Sequence, residues 1–224
     1  ERPLYLTINS FLHQYKNTMT FSLQKTNLFL ILFFSSIIFC NSSSLVFSHP
    51  HLFTMTRYSL VFDDKGLTGV KVFWQFDEMY SITTVDSFDE NGDGIFNPEE
   101  AEELAKLGVE NLKNFNYFTH IEIEKEKFPV RSVRNMKVNY KKNQLLYSFF
   151  IPCLIPIENE KKTIKISPYD PEFFAAMFFS EEQPVLFENR EQFEIESKII
   201  DDPETLIYFD TIHPLALLVS IRRK

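Results

Sequence analysis

The sequence predicts an α+β fold, mainly antiparallel β and sandwich-like, with an inserted EF-hand-like calcium loop and a following helix. Three observations carry this. Period-2 apolar runs recur between proline and charge clusters, as half-buried strands require. One stretch, Pro98–Phe115, instead spaces Leu104, Leu107, Leu112 and Phe115 near the helical repeat. A succession of strands interrupted by a single helical insertion belongs to the α+β class rather than to an alternating βαβ sheet.

The N-terminal part is set apart by charge. From Pro3 to Ser48 there is no Asp or Glu, and the cations are Lys16 and Lys25. The apolar run "LFLILFFSSIIF" (28–39) then passes through Asn41–Ser44 to "VFS". A basic start, an apolar middle and small residues ahead of a cut make a secretory signal, with Val46 and Ser48 at −3 and −1 before His49. The run falls short of the roughly 20 apolar residues that span a bilayer. Met19 is the natural start, because Glu1 cannot initiate. The expected organisation is therefore residues 1–48 as upstream segment and cleaved signal peptide, then 49–200 as a periplasmic β-rich domain. Residues 201–224 form a C-terminal segment whose completeness the sequence leaves open. No integral membrane span is expected in the mature chain.

Composition narrows the function classes. The 25 Phe and 9 Tyr supply ample bulky core, and a net charge of −8 without a basic patch excludes nucleic acid as a partner. Cleavage would remove Glu1 together with Arg2, Lys16 and Lys25, which leaves the mature chain more acidic still. It would also remove Cys40, so Cys153 has no intrachain disulfide partner; within "FFIPCLIPI" it reads as a small buried hydrophobe.

The elements follow in order. "LFTMTRYSLVFDD" (52–64) and "LTGVKVFWQFDE" (67–78) flank Asp-Lys-Gly as a hairpin, with Val70, Val72, Trp74 and Phe76 on one face. "MYSITTVDSF" reads as one short helix leading into an acidic loop. After the helix at Pro98, β-like runs occur in "YFTHIEIEKE", "RNMKVNYKK", "QLLYSFFIPCLIPI", "KTIKISPYD" and "QFEIESKII". The closing "IHPLALLVSIRRK" suits a last strand, a short helix or part of a longer segment.

The most specific motif is "DENGDGIFNPEE", Asp89 to Glu100. It satisfies every defined position of the template D-x-[DN]-x-[DN]-G-x5-E. Asp89, Asn91 and Asp93 offer side-chain oxygens, Ile95 its carbonyl, Asn97 a water-mediated contact, and Glu100 a bidentate carboxylate. Gly94 supplies the sharp turn. Ca²⁺ takes six to eight hard oxygens, which a twelve-residue loop delivers only by curling around the ion. With no second such loop, the expected role is structural.

The stretch "VFSHPHLF" carries a second candidate. If the mature chain begins at His49, its α-amine and ring form a chelate, to which His51 adds an imidazole. Nitrogen ligands suit Zn²⁺, Ni²⁺, Co²⁺ or Cu²⁺. Pro50 has no amide proton to lose, which blocks a square-planar mode through backbone nitrogens. A further ligand must come from the fold: Asp77 first, with Glu78, His120 and Asp170 as alternatives. Two nearby histidines are also explained as a stiff polar exit from the signal.

The set "HPHLF", "WQFDEMYS", the "DENGDG" loop, "NFNYFTHI" and "YDPEFFAAM" resembles a bacterial domain-of-unknown-function family, the one numbered one thousand and seven. That family is described as an uncharacterised periplasmic component of an ABC-type transport system. The resemblance covers His49 to about Phe179. His49 and His51 match its HPH, Asp77 and Glu78 its FDE, and Asp170 its YDP. It implies a periplasmic metal-binding accessory beside a membrane transporter of nickel, cobalt or zinc, taking part in uptake or efflux. A calcium-stabilised binding module without transition metal stays open, as does a histidine–metal enzyme. The sequence contains no Gly-x-Ser-x-Gly, HExxH or phosphate loop, so no catalytic residue is expected.

Overall fold

β1 (Leu52–Phe62) and β2 (Gly66–Phe76) form the predicted hairpin, paired antiparallel from Thr54↔Phe76 to Leu60↔Val70. The turn is held by Asp63, whose Oδ1 accepts the N–H groups of Lys65 at 2.8 Å and Gly66 at 3.0 Å. Gly66 has φ +150°, and a Cβ there would lie 2.2 Å from the carbonyl oxygen of Ile155. Only glycine admits so close an approach. The computed structural model describes residues 50–224, which lie within a compact unit running from His49 to Lys224. The expected signal peptide, its cut, and His49 itself lie outside the described residues.

β2 continues the first sheet through β6 (Gln144–Pro156) to β5 (Arg134–Lys141), all antiparallel. Along β6 the residues Leu145, Tyr147, Phe149, Ile151, Cys153 and Ile155 all turn inward, the alternation of a one-sided sheet. Burial pushes the Cys153 thiol up to about 12, which leaves it inert. Two short strands depart from the antiparallel expectation. β8 (Ala175–Phe179) and β9 (Val185–Glu188) pair with β1 in parallel, one after the other along the same edge.

The second sheet is antiparallel throughout. Its order is β10 (Phe193–Asp201), β11 (Leu215–Arg223), β7 (Lys162–Pro168), β3 (Thr119–Ile123), β4 (Glu126–Phe128). Leu60, Val72 and Phe149 from the first sheet share one core with Ile164, Ile166, Leu217 and Val219 from the second. That shared core is the sandwich-like arrangement. β10 runs across position 200/201, where the C-terminal segment was expected to begin, and β11 is an interior strand of the second sheet. Leu217–Ile221 pairs on both sides, with β10 and with β7.

Two helices follow β2: α1 (Glu78–Phe88) and α2 (Pro98–Leu112). α2 ends before the expected Phe115, because the chain tightens into a 3₁₀ turn over Lys113–Phe118. There Asn116, Tyr117 and Phe118 take φ of 53°, 51° and 44°. Left-handed backbone at bulky residues is strained, and burial of Tyr117 against Phe149 holds it. Among the described residues no helix is long and apolar enough to cross a membrane.

Candidate metal sites

The acidic loop sits in a helix–loop–helix. Asp89 is the C-cap of α1, and Pro98, the tenth loop residue, opens α2. The entering helix, short in the sequence reading, has 11 residues, capped by Asp77 through Tyr80 N–H. Asp89 organises the curl: its Oδ1 accepts from Gly92 N–H at 2.8 Å and Asp93 N–H at 3.3 Å, and its Oδ2 from Gly94 N–H at 2.7 Å. Gly92 and Gly94 are left-handed, with φ +71° and +79°. Asn91 and Asp93 add the same kind of bond, from Asp93 N–H at 2.8 Å and Ile95 N–H at 3.0 Å.

Glu100 closes the ring. Its carboxylate accepts from Asn97 N–H at 2.9 Å and reaches back to Glu90 N–H at 3.1 Å. Asn97 Oδ1 in turn accepts Glu100 N–H at 3.0 Å, which completes a capping box. Glu100 is 5% exposed. Phe96 packs beneath the loop, edge-on to Tyr140 at 6.2 Å. The ligand shell itself is not assembled. The carboxylates of Asp89, Asp93 and Glu100 point at backbone N–H groups. Among the described residues no three His, Cys, Asp or Glu side chains converge on a metal-sized position.

The histidine candidates are only partly brought together. His51 donates its backbone N–H to Phe174 O at 2.8 Å, and its ring lies 4.7 Å from that of Phe174. Asp77 accepts the Phe53 N–H at 2.7 Å and the Tyr80 N–H at 2.9 Å, so both its oxygens already have partners. His51 and Asp77 thus share one end of the first sheet, where β1 begins and β2 ends. Glu78, exposed, accepts from Asn143. Asp170 is buried and accepts Glu172 N–H at 3.0 Å and Ala175 N–H at 3.1 Å, which shapes the turn into β8.

His120 is used elsewhere. It stacks on Tyr169 at 3.6 Å and contacts the Tyr169 carbonyl through Nε2 at 3.1 Å. Burial lowers its pKa to about 4, outweighing the pull of the Tyr169 carbonyl and Asp170. Beside it lies a cluster the sequence reading missed. Lys165 Nζ sits 2.8 Å from Asp202 and 3.0 Å from Glu122. Burial opposes both charges, but hydrogen bonding to Asp202 and Glu122 raises the Lys165 pKa. Hydrogen bonds from Lys165, Thr205 and the Glu204 N–H hold Asp202 below the usual carboxylate range. The alternation in "KTIKISP" marks Lys165 on the outer face of a strand, but its partners come from β3 and from the turn after β10.

Residues 34–205 match the family described as "Protein of unknown function (DUF1007)". The chain belongs to this family. Among curated proteins, DUF1007 membership is accompanied by likeness to an uncharacterized protein of Haemophilus influenzae. The two are 26% identical over 145 residues, 63% of this chain and 68% of that one. An "Uncharacterized 15.5 kDa protein in trpE 3'region" of Spirochaeta aurantia is 31% identical over 97 residues, 43% of this chain and 69% of the relative. The DUF1007 match takes in the acidic loop, His51, Asp77 and the "YDPEFFAAM" turn, and stops within the turn after β10.

Proposed function

We propose that the protein is an exported, calcium-stabilised β-rich binding module of the periplasm, acting by association rather than catalysis. The loop carries this reading: a curled ring between two helices, its first acid tied to the N–H groups of residues 92–94 and its last to those of Glu90 and Asn97. Asp89, Asn91, Asp93 and Glu100 would hold the ion with the Ile95 carbonyl, and Asn97 would reach it through water. These are hard oxygen donors, and Ca²⁺ selects them over nitrogen or sulfur. The bound ion would supply charge to the most acidic turn of the chain and fix the angle between α1 and α2. The test is calorimetric titration of Ca²⁺ with Mg²⁺ as control. One site of about 10⁻⁴–10⁻³ M, the range of extracellular modules, supports the reading. An absence of saturable heat overturns it.

A second reading is supported by the placement of His51 and Asp77 at one end of the first sheet. There, with His49, they would take a divalent transition metal, Zn²⁺, Ni²⁺, Co²⁺ or Cu²⁺, for a membrane metal transporter. Titration of each ion into wild type and His51→Ala, with calcium saturating, separates the readings. A stoichiometric site lost in the variant favours the transporter accessory; equal binding leaves the calcium-stabilised module.

A further inference from the structure

Between the helix pair and the first sheet lies a cavity of about 430 Å³ that no metal reading uses. Its floor is the inner face of β1 and β2, with Trp74 and Phe76, and its walls come from α1 and α2, including Leu104 and Leu107. The volume falls within the range of small-molecule sites, and apolar walls with few polar groups are their usual composition. In a chain where 24% of residues are charged, none of those lining this cavity is an Asp, Glu, Lys, Arg or His.

The polar groups are neutral and fall in two places. Thr83, Ser87 and Asn111 are exposed at the rim. At the floor, Trp74 Nε1 and Thr54 Oγ1 belong to lining residues that are 2% and 1% exposed. Neither atom has a hydrogen-bond partner among the described residues. A buried indole N–H is a donor only, and leaving it unpaired is costly. An oxygen brought by a ligand would satisfy it. An ion pair has no partner here, so an ionised head group would be desolvated without compensation.

We propose that this cavity binds a neutral, largely apolar small molecule bearing one or two hydrogen-bonding oxygens. The hydrocarbon part lies over Trp74, Phe76, Leu104 and Leu107. The rim hydroxyls of Thr83 and Ser87 already donate to the Met79 and Thr83 carbonyls, at 2.9 and 2.8 Å. They therefore accept from a ligand hydroxyl, while an oxygen of the ligand faces the floor donors. Selectivity follows from charge: the neutral molecule is accepted and its ionised counterpart is not. This site is independent of the calcium loop, although α1 and α2 serve both.

The chain has one tryptophan, so Trp74 itself reports occupancy. The experiment titrates the neutral fluorophore N-phenyl-1-naphthylamine into the purified protein, following quenching of Trp74 emission, and then competes it with 1-decanol or decanoate at neutral pH. Saturable quenching at one probe per chain is expected, with displacement by decanol at a concentration about tenfold lower than decanoate requires, a difference of about 1.4 kcal/mol. Thr83→Phe with Ser87→Phe narrows the mouth at exposed positions and leaves the core intact, so folding is preserved. This variant should bind the probe about tenfold more weakly. Absence of quenching, or equal affinity in the rim variant, overturns the site. Equal competition by decanoate overturns the neutral ligand class.

Discussion

Replacing Glu100 by Gln separates the two tasks of that residue. In the loop its carboxylate accepts from Asn97 N–H and from Glu90 N–H. A Gln keeps the capping box, since Glu and Gln serve equally at that position. It loses one acceptor, which costs the metal-free protein about 1 kcal/mol. It also loses the charged, bidentate ligand, and calcium affinity follows ligand charge. A wild-type Kd of about 10⁻⁴–10⁻³ M and 10 mM Ca²⁺ give a stabilisation RT ln(1 + [L]/Kd) of about 1.4–2.7 kcal/mol. For a domain of this size that raises Tm by about 3–11 °C. A tenfold loss of affinity in the variant reduces the gain to about 0.4–1.4 kcal/mol. Differential scanning calorimetry with 10 mM Ca²⁺, against Mg²⁺ and chelator, reads both terms. The reasoning is refuted if Ca²⁺ shifts wild type no more than Mg²⁺, or if both proteins gain equally.

Other perturbations test the scaffold. Lys165→Met leaves Asp202, 1% exposed, without its cation; a loss of about 2–4 kcal/mol in urea unfolding is expected. Asp202 has a lowered pKa, so its contribution is present above the usual carboxylate range and fades as pH falls through the lowered value. Lys165, raised, contributes until pH climbs through its folded value. The Lys165→Met variant should lose the alkaline dependence and show a weakened acid dependence, since Thr205 and the Glu204 N–H still bond Asp202. An unchanged wild-type acid profile in it would contradict the assignment. His120, with its pKa lowered to about 4, favours the fold above pH 6.5 and loses that contribution as pH falls toward 4. NMR titration should find it neutral at pH 5.5, and an imidazolium midpoint near 6.5 would show that it is not buried as described. Gly66→Ala drives a Cβ into the Ile155 carbonyl and should cost about 2–4 kcal/mol by chemical denaturation. A cost under about 0.5 kcal/mol would mean the hairpin packs differently.

The hairpin, the long β6 and the helix at Pro98 were legible because each repeats its period over enough residues to exclude the alternative. β8 and β9 were not: "AAMFF" and "VLFE" are short, lie among Pro and acidic residues, and gain their strand character from pairing with β1. β11 was ambiguous because an interior strand is apolar on both faces and shows no alternation. At the candidate site the loop spacing gave away the ring from Asp89 to Glu100, but not the direction of its carboxylates, which backbone N–H donors set. The placement of Asp77 as both helix cap and partner of Phe53 depends on the β1–β2 register. So does the cavity, which no single segment encloses.

The most direct test of the central claim is an amide ¹H–¹⁵N titration of the wild-type protein with CaCl₂. The account predicts that the amides of Asp89–Glu100 shift together and saturate. Gly94, whose N–H is held by Asp89 at 2.7 Å, should move among the most, while strands remote from the loop stay still. Shifts scattered over acidic surface residues without saturation, or none in the loop, would contradict it.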